Sequence, residues 1–147
     1  MFFKEVDTLL DAAINLDEDR AWFFAVDNGV KEEIIQLNTI DQLFDRGVDS
    51  LNRSLGDYSP FTVEEKKRKG QKYTNITLKD DGDFYKSFKV EVTATEIRIS
   101  ANPIKDDNNL FDDFGSEIVG LTDQNTLRIC DMILQNIIIY VKKELGI

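Results

Sequence analysis

Apolar residues recur at Val6, Leu9, Leu10, Ala13 and Ile14, the spacing of one helix face, until Asp17-Glu18-Asp19-Arg20 interrupts them with charge. That pattern predicts a short amphipathic helix. Trp22-Phe23-Phe24 with Val26 follows, a cluster too aromatic to lie open without consequence, and it reads as core or as a partner-binding patch. From Val30 the apolar positions run Ile34, Leu37, Ile40, Phe44, Val48, Leu51 and Leu55, seven steps over 25 residues, which keeps the stripe on one face. The spacing predicts one long helix over 30–55, about 39 Å at 1.5 Å per residue. Asn38-Thr39 and Gly47 are its weak points, Gly costing about 1 kcal/mol against Ala in a helix interior. A helix that long in a chain of 147 residues invites packing against neighbouring subunits.

Between 56 and 92 the pattern changes. Pro60 fixes its own φ and biases Ser59 towards extended backbone, so the helix is expected to end by Gly56 and an irregular aromatic loop (Tyr58, Pro60, Phe61) to follow. A basic run comes next, then two extended segments joined at Asp80-Asp81-Gly82, which has the polar side chains and the free φ of a tight turn. Phe84, Phe88, Val90 and Val92 share one parity, and Ile97 to Ala101 alternate again, which predicts a β-hairpin over 84–101. With Ile76 to Leu78 the expected sheet is antiparallel with three or four strands, covered on one face by the long helix and a C-terminal helix. That last helix, capped by Thr122 or Asp123, shows an apolar face of Leu127, Cys130, Ile133, Leu134, Ile137, Ile138, Val141 and Leu145, with Ile129, Ile139 and Tyr140 widening it. The fold class is therefore α+β, in one domain over 1–147.

Composition narrows the chemistry. The apolar fraction of 41% is that of a globular chain. The absence of histidine removes the usual neutral-pH acid/base and the Ser-His and Cys-His pairs. The single cysteine, Cys130, cannot make an intrachain disulfide and reads as a buried, inert thiol. Met1-Phe2-Phe3 gives way at once to Lys4-Glu5-Val6-Asp7, so no leader is expected, and no apolar run approaches a membrane span. No cofactor or metal is expected: Asp106-Asp107-Asn108-Asn109 and Asp112-Asp113 do not have the ligand spacing of an EF-hand loop.

The net charge of −10 is unevenly spread. Residues 1–57 hold 13 acidic and 5 basic side chains, residues 66–98 hold 9 basic and 5 acidic, and residues 106–131 hold 7 acidic and 1 basic. A basic middle between acidic ends suits head-to-tail association of identical subunits, and equally a solvated surface of mixed sign. Lys66-Lys67-Arg68-Lys69 with Lys72 also suggests nucleic acid, but no nucleic-acid fold signature accompanies it and the overall charge repels phosphate.

A tyrosine, a proline-containing loop, Thr62, a basic run and then Leu78-Lys79-Asp80-Asp81-Gly82-Asp83-Phe84-Tyr85-Lys86-Ser87-Phe88 resembles the tail-completion or head-tail joining proteins of long-tailed bacteriophages and the related virion morphogenesis group. Their motif reads approximately Leu-x-Asp-Thr-Gly-x-Leu-x-x-Ser-[Ile/Phe] before a β-hairpin, and Phe114-Gly115 with Gly120-Leu121-Thr122 is similar to their second block. Asp81 stands where Thr is usual, and the His often found before the second-block Gly is absent. The resemblance implies a non-enzymatic virion protein made in the host bacterial cytoplasm, forming a hexameric ring at the tail's head-proximal end or neck. Tail-tube and neck or connector proteins would flank it, and DNA would pass without specific binding; no membrane is involved. Charge and aromatic content pick out Tyr58, Phe61, Lys66, Lys67, Arg68, Lys69, Asp80, Asp81, Asp83, Tyr85, Asp112 and Asp113 as interface candidates. The alternative is an acidic DNA-mimic inhibitor of a basic nuclease or regulator. An enzyme using Asp or Glu with a divalent metal is a third class, for which no carboxylate spacing singles out a site.

Overall fold

The computed structural model describes residues 2–147. Met1, on which the expectation of no leader partly rests, lies outside them. Helix α1 (Phe2–Ile14) is followed by α2 (Glu18–Asp27), whose N-cap Asp17 accepts from the Arg20 amide at 3.1 Å. Helix α3 (Val30–Gln36) continues without a break as a π-helical segment, Leu37–Arg46. Next come α4 (Pro60–Arg68), the single turn α5 (Asp83–Lys86), strands β1 (Lys89–Val92) and β2 (Ile97–Ser100), and the short pair β3 (Ile104–Lys105) and β4 (Asn108–Asn109). Helix α6 (Leu110–Phe114), a 3₁₀ turn (Ser116–Ile118) and the long α7 (Asp123–Leu145) complete the chain. No helix among the described residues is long and apolar enough to cross a membrane.

The α+β class and the long C-terminal helix are as expected; the sheet is not. Two separate two-stranded antiparallel sheets, β1-β2 and β3-β4, replace one of three or four strands. Residues 76–78 form no strand because Thr77 donates its backbone N–H to the Tyr58 hydroxyl at 3.0 Å and its carbonyl accepts from the Tyr85 hydroxyl. Leu78 then takes φ 56°, a left-handed conformation that cannot continue a strand. The hairpin expected over 84–101 starts only at Lys89. Phe84 and Phe88, four apart, satisfy an alternating and a helical pattern equally, and here their rings meet edge-to-face with centroids 5.2 Å apart, Phe84 within α5 and Phe88 just beyond its end.

The helix expected over 30–55 ends at Arg46. Gly47 (φ 62°) terminates it, and a Cβ there would lie 2.7 Å from Asn75 Nδ2 and 3.0 Å from the Ile76 carbonyl. Asn38 does not break the helix. Instead, the i→i+5 winding beyond Gln36 turns the buried face towards Asn38, Gln42 and Leu43, leaving Ile40 and Phe44 half-buried.

The stretch read as a loop with a basic run is α4. Ser59 caps it, accepting from the Thr62 amide at 3.3 Å, Pro60 holds its first position, and Lys66, Lys67 and Arg68 fall in its last turn, where they suit the helix dipole. Ser-Pro followed by a basic end was a legible helix signal.

Two apolar clusters form the interior. Val26, Val30, Ile34, Leu37 and Ile129 join α2, α3 and α7 beneath β1-β2, whose Val90, Val92, Ile97 and Ile99 face inward. Leu43, Phe84, Phe88 and Ile118 form the second. Trp22 belongs to the first cluster and donates to the Thr93 carbonyl at 2.7 Å, tying the aromatic cluster of α2 to the hairpin turn.

The C-terminal helix buries a different face from the one expected. Asn125, Ile129, Asn136 and Tyr140 point inward, while Leu127, Leu134, Ile138 and Cys130 are exposed. Cys130 is therefore not a buried thiol: it lies on the outward side of α7. The periodicity found a true helical stripe but could not tell which side the rest of the chain covers.

Candidate functional site

The basic helix α4 and the loop that returns beneath it enclose a half-open cleft of about 300 Å³. Thr62, Glu65, Lys66 and Lys69 reach it from one face of α4, at the i, i+3 and i+4 positions that share a helix side. Tyr58 enters from the preceding loop, Gln71, Ile76, Leu78, Lys79 and Asp80 from the following one, Lys105 from β3, and Leu110 and Phe114 from α6. The floor is apolar and the rim charged, four lysines facing two carboxylates.

Tyrosines hold this loop in place. The Tyr58 hydroxyl bonds both the amide and, at 3.2 Å, the hydroxyl of Thr77, and the Tyr85 hydroxyl donates to the Thr77 carbonyl. Burial pushes the Tyr85 phenol above its ordinary pKa, with the neighbouring Tyr58 and Asp45 adding to it, so it remains a donor. Between these anchors the left-handed Leu78 turns the backbone so that Lys79 and Asp80 meet the cleft. A leucine in that conformation costs on the order of 1 kcal/mol, sustained by the two tyrosine contacts.

Asp80 is the cleft's internal anion. Its Oδ2 accepts from Lys105 at 3.2 Å, and its Oδ1 accepts from Gln71 at 3.3 Å and Lys69 at 3.4 Å. The hydrogen bonds from Lys105 and Gln71, with the nearby lysine charges, hold its carboxyl down at about 2.

Lys66 is the opposite case. It is only 8% exposed, and its Nζ donates to the neutral oxygens of Gln71 (3.4 Å) and Lys79 (3.3 Å) and lies 4.8 Å from the centre of the Tyr58 ring. Among the described residues no ion pair includes Lys66, although Lys69 and Lys105 both reach Asp80. Buried ammonium groups ordinarily have a carboxylate partner. Lys79, also without one, lies over the rings of Phe44 (5.3 Å) and Tyr85 (5.8 Å).

Of the residues singled out in the sequence, Tyr58, Lys66, Lys69 and Asp80 meet here, with Tyr85 directly beneath. The others do not join them. Phe61 is 76% exposed on α4. Lys67 pairs with Glu64 at 3.2 Å and Arg68 with the cleft-lining Glu65, but neither Lys67 nor Arg68 itself lines the cleft. Asp81 accepts from the Asp83 amide at 2.9 Å within its own turn, beside a separate smaller hollow with Asn102 and Asp106. Asp112 is exposed, and Asp113 lines a different hollow with Asp49 and Arg53. Sequence reasoning missed Lys79, which adjoins Asp80 and was open to notice, and Lys105, Leu110 and Phe114, which only the tertiary fold delivers.

No protein-family model, curated protein or solved structure matches this chain. Chemistry must therefore come from the geometry. An apolar floor under a cationic rim, with Lys66 in no ion pair among the described residues, can accommodate an anion carried on an apolar body.

A second feature lies on the far elements. Val6, Leu9, Leu10 and Ile14 of α1 are exposed. On α7, Leu127, Cys130, Leu134, Ile137 and Val141 recur at alternating steps of three and four, the seam spacing of paired helices, and none is buried. Beside this seam, Trp22, Ile97, Leu121, Ile129 and Ile133 open an apolar groove of about 420 Å³ between α7 and the hairpin.

Proposed function

We propose that this chain is a non-enzymatic structural subunit of a long-tailed phage virion. It assembles with copies of itself into a ring, six-fold by the resemblance of residues 78–88, at the head-proximal end of the tail or in the neck, where it joins tail to head and lets DNA pass. The observation that carries the reading is the uncovered α7 seam with its adjoining groove. A seam of five apolar positions and a groove beside it exceed what scattered surface leucines account for, and they support an interface there. The uneven charge adds the means of head-to-tail contact, in which two different patches meet and the rotation closes. Acidic segments turned towards the lumen would keep DNA off the wall by repulsion.

Light scattering of the purified protein, with negative-stain images of the same peak, tests this. Closed rings support it; a monomer that competes with DNA for a basic protein supports the DNA-mimic alternative. Against that alternative stands the cationic rim around the α4 cleft, which interrupts any continuous phosphate-like surface.

A further inference from the structure

The geometry points to the α4 cleft as the socket for the acidic N-terminal segment, residues 4–20, of a neighbouring copy, whose carboxylate supplies the counter-ion that Lys66 lacks. The inference rests on the assembly reading above and names the contact that the assembly would use. Three observations meet in it. Lys66 is buried, charged and unpaired among the described residues, while the cleft into which it faces is open and two charges positive on balance. Residues 4–20 hold six carboxylates against Lys4 and Arg20, and they expose Val6, Leu9, Leu10 and Ile14 beside them, the combination that an apolar floor with a lysine rim accommodates. Within one chain the main packing partner of α1 is α7 and not α4, so its acidic side remains available to a neighbour. A phosphate backbone would satisfy the lysines but leave Ile76, Leu78, Leu110 and Phe114 against water-rich surface, and the chain's overall charge of −10 repels it.

Asp80 gives the inference a sign. It already occupies part of the cationic rim through Lys69 and Lys105, so it competes with an incoming carboxylate. Removing Lys66 must weaken docking, whereas removing the Asp80 charge must strengthen it. A cleft that serves only to hold the fold together would lose in both cases.

The test uses the full chain and a fluorescein-labelled peptide of residues 4–20, read by anisotropy, with circular dichroism melts to confirm that each variant folds. The peptide should bind the wild-type protein, lose at least about tenfold in affinity with Lys66→Met, as removal of one partner of a buried charge pair requires, and gain a few-fold with Asp80→Asn. A peptide carrying Leu9→Ser and Leu10→Ser should bind more weakly than the natural one. Binding indifferent to Lys66→Met, or tighter binding of a 20-base-pair DNA duplex than of the peptide with the same Lys66 dependence, overturns the inference. If the wild type forms rings whose mass Lys66→Met and Lys69→Glu leave unchanged and the peptide does not bind, assembly stands and this contact falls. If the wild type stays monomeric yet binds the peptide with the stated dependence, the contact stands and the ring reading falls.

Discussion

The two faces of α7 put amides inside and leucines outside. Inward, Asn136 donates to the Ala25 and Asn28 carbonyls at 2.9 and 3.2 Å and so closes the C-terminal end of α2, while Asn125 donates to Gln42 Oε1 and Asp41 Oδ2, both at 2.9 Å. Outward, Leu127 is 70% exposed and Leu134 54%. Buried amides are tolerated because each is satisfied: Asn38 donates to the Ile118 carbonyl at 3.0 Å and accepts from the Gly120 amide at 2.7 Å. Gln42 donates to the Gly120 carbonyl and accepts from the Thr122 amide, both at 2.9 Å. This network fastens the irregular 118–122 segment to the π-helical turn, a task for directional bonds. Leucines have no directional partner to find, so a hydrogen-bonded inner face and an uncovered apolar stripe outside are what the proposed assembly, in which a second copy covers that stripe, would require.

The sharpest way to break this contrast is Gln42→Ala. It strands the Gly120 carbonyl and the Thr122 amide, each about 1–3 kcal/mol to leave buried and unpaired, and should lower the thermal midpoint by roughly 10 °C. On α7 itself, Ile129→Ala on the inner face should cost about 2–4 kcal/mol by chemical denaturation. Leu134→Ala, the same kind of truncation on the outer face, should change the unfolding free energy of the monomer by under about 0.5 kcal/mol, while weakening self-association. Equal destabilisation by the two would place Leu134 in a core and remove the argument for an interface.

Acid gives a small effect of another kind. The carboxyl of Asp80 is depressed in the folded state to about 2, so its contribution is present above the ordinary carboxylate range and is lost as pH falls from about 4 through about 2. With the side chain 44% exposed, solvent screening holds this contribution under about 1 kcal/mol. Asp80→Asn should flatten that part of the stability profile, and the difference between the two melts below pH 4 measures it.

Much of the fold was legible in local pattern. The short α1, the Thr122 cap and the inward parity of Val90, Val92, Ile97 and Ile99 all follow from spacing and side-chain chemistry, whereas Asp80-Asp81-Gly82, expected to join two extended segments, instead leads into α5 with Gly82 as its N-cap. What was hidden has physical causes. A π-helical segment rotates the buried face by a residue per turn, so a stripe counted at 3.6 drifts off the core after Leu37 and never points to Asn38 or Gln42. The strand expected at 76–78 was lost to two tyrosine hydroxyls, one of them 19 residues away. Of the cleft, the helix side was within reach, because Thr62, Lys66 and Lys69 lie on one face once Ser59-Pro60 is read as a helix start. Lys105 and Phe114 were not, since no local signal announces that β3 and α6 fold back over α4.

The solution mass of the full chain, measured beside that of a Leu134→Gln/Ile138→Gln variant, tests the central claim most directly. The account predicts a multi-subunit ring for the wild type and a smaller species for the variant, with matching circular dichroism spectra. A wild-type monomer at every concentration, or a variant that unfolds instead of dissociating, would contradict it.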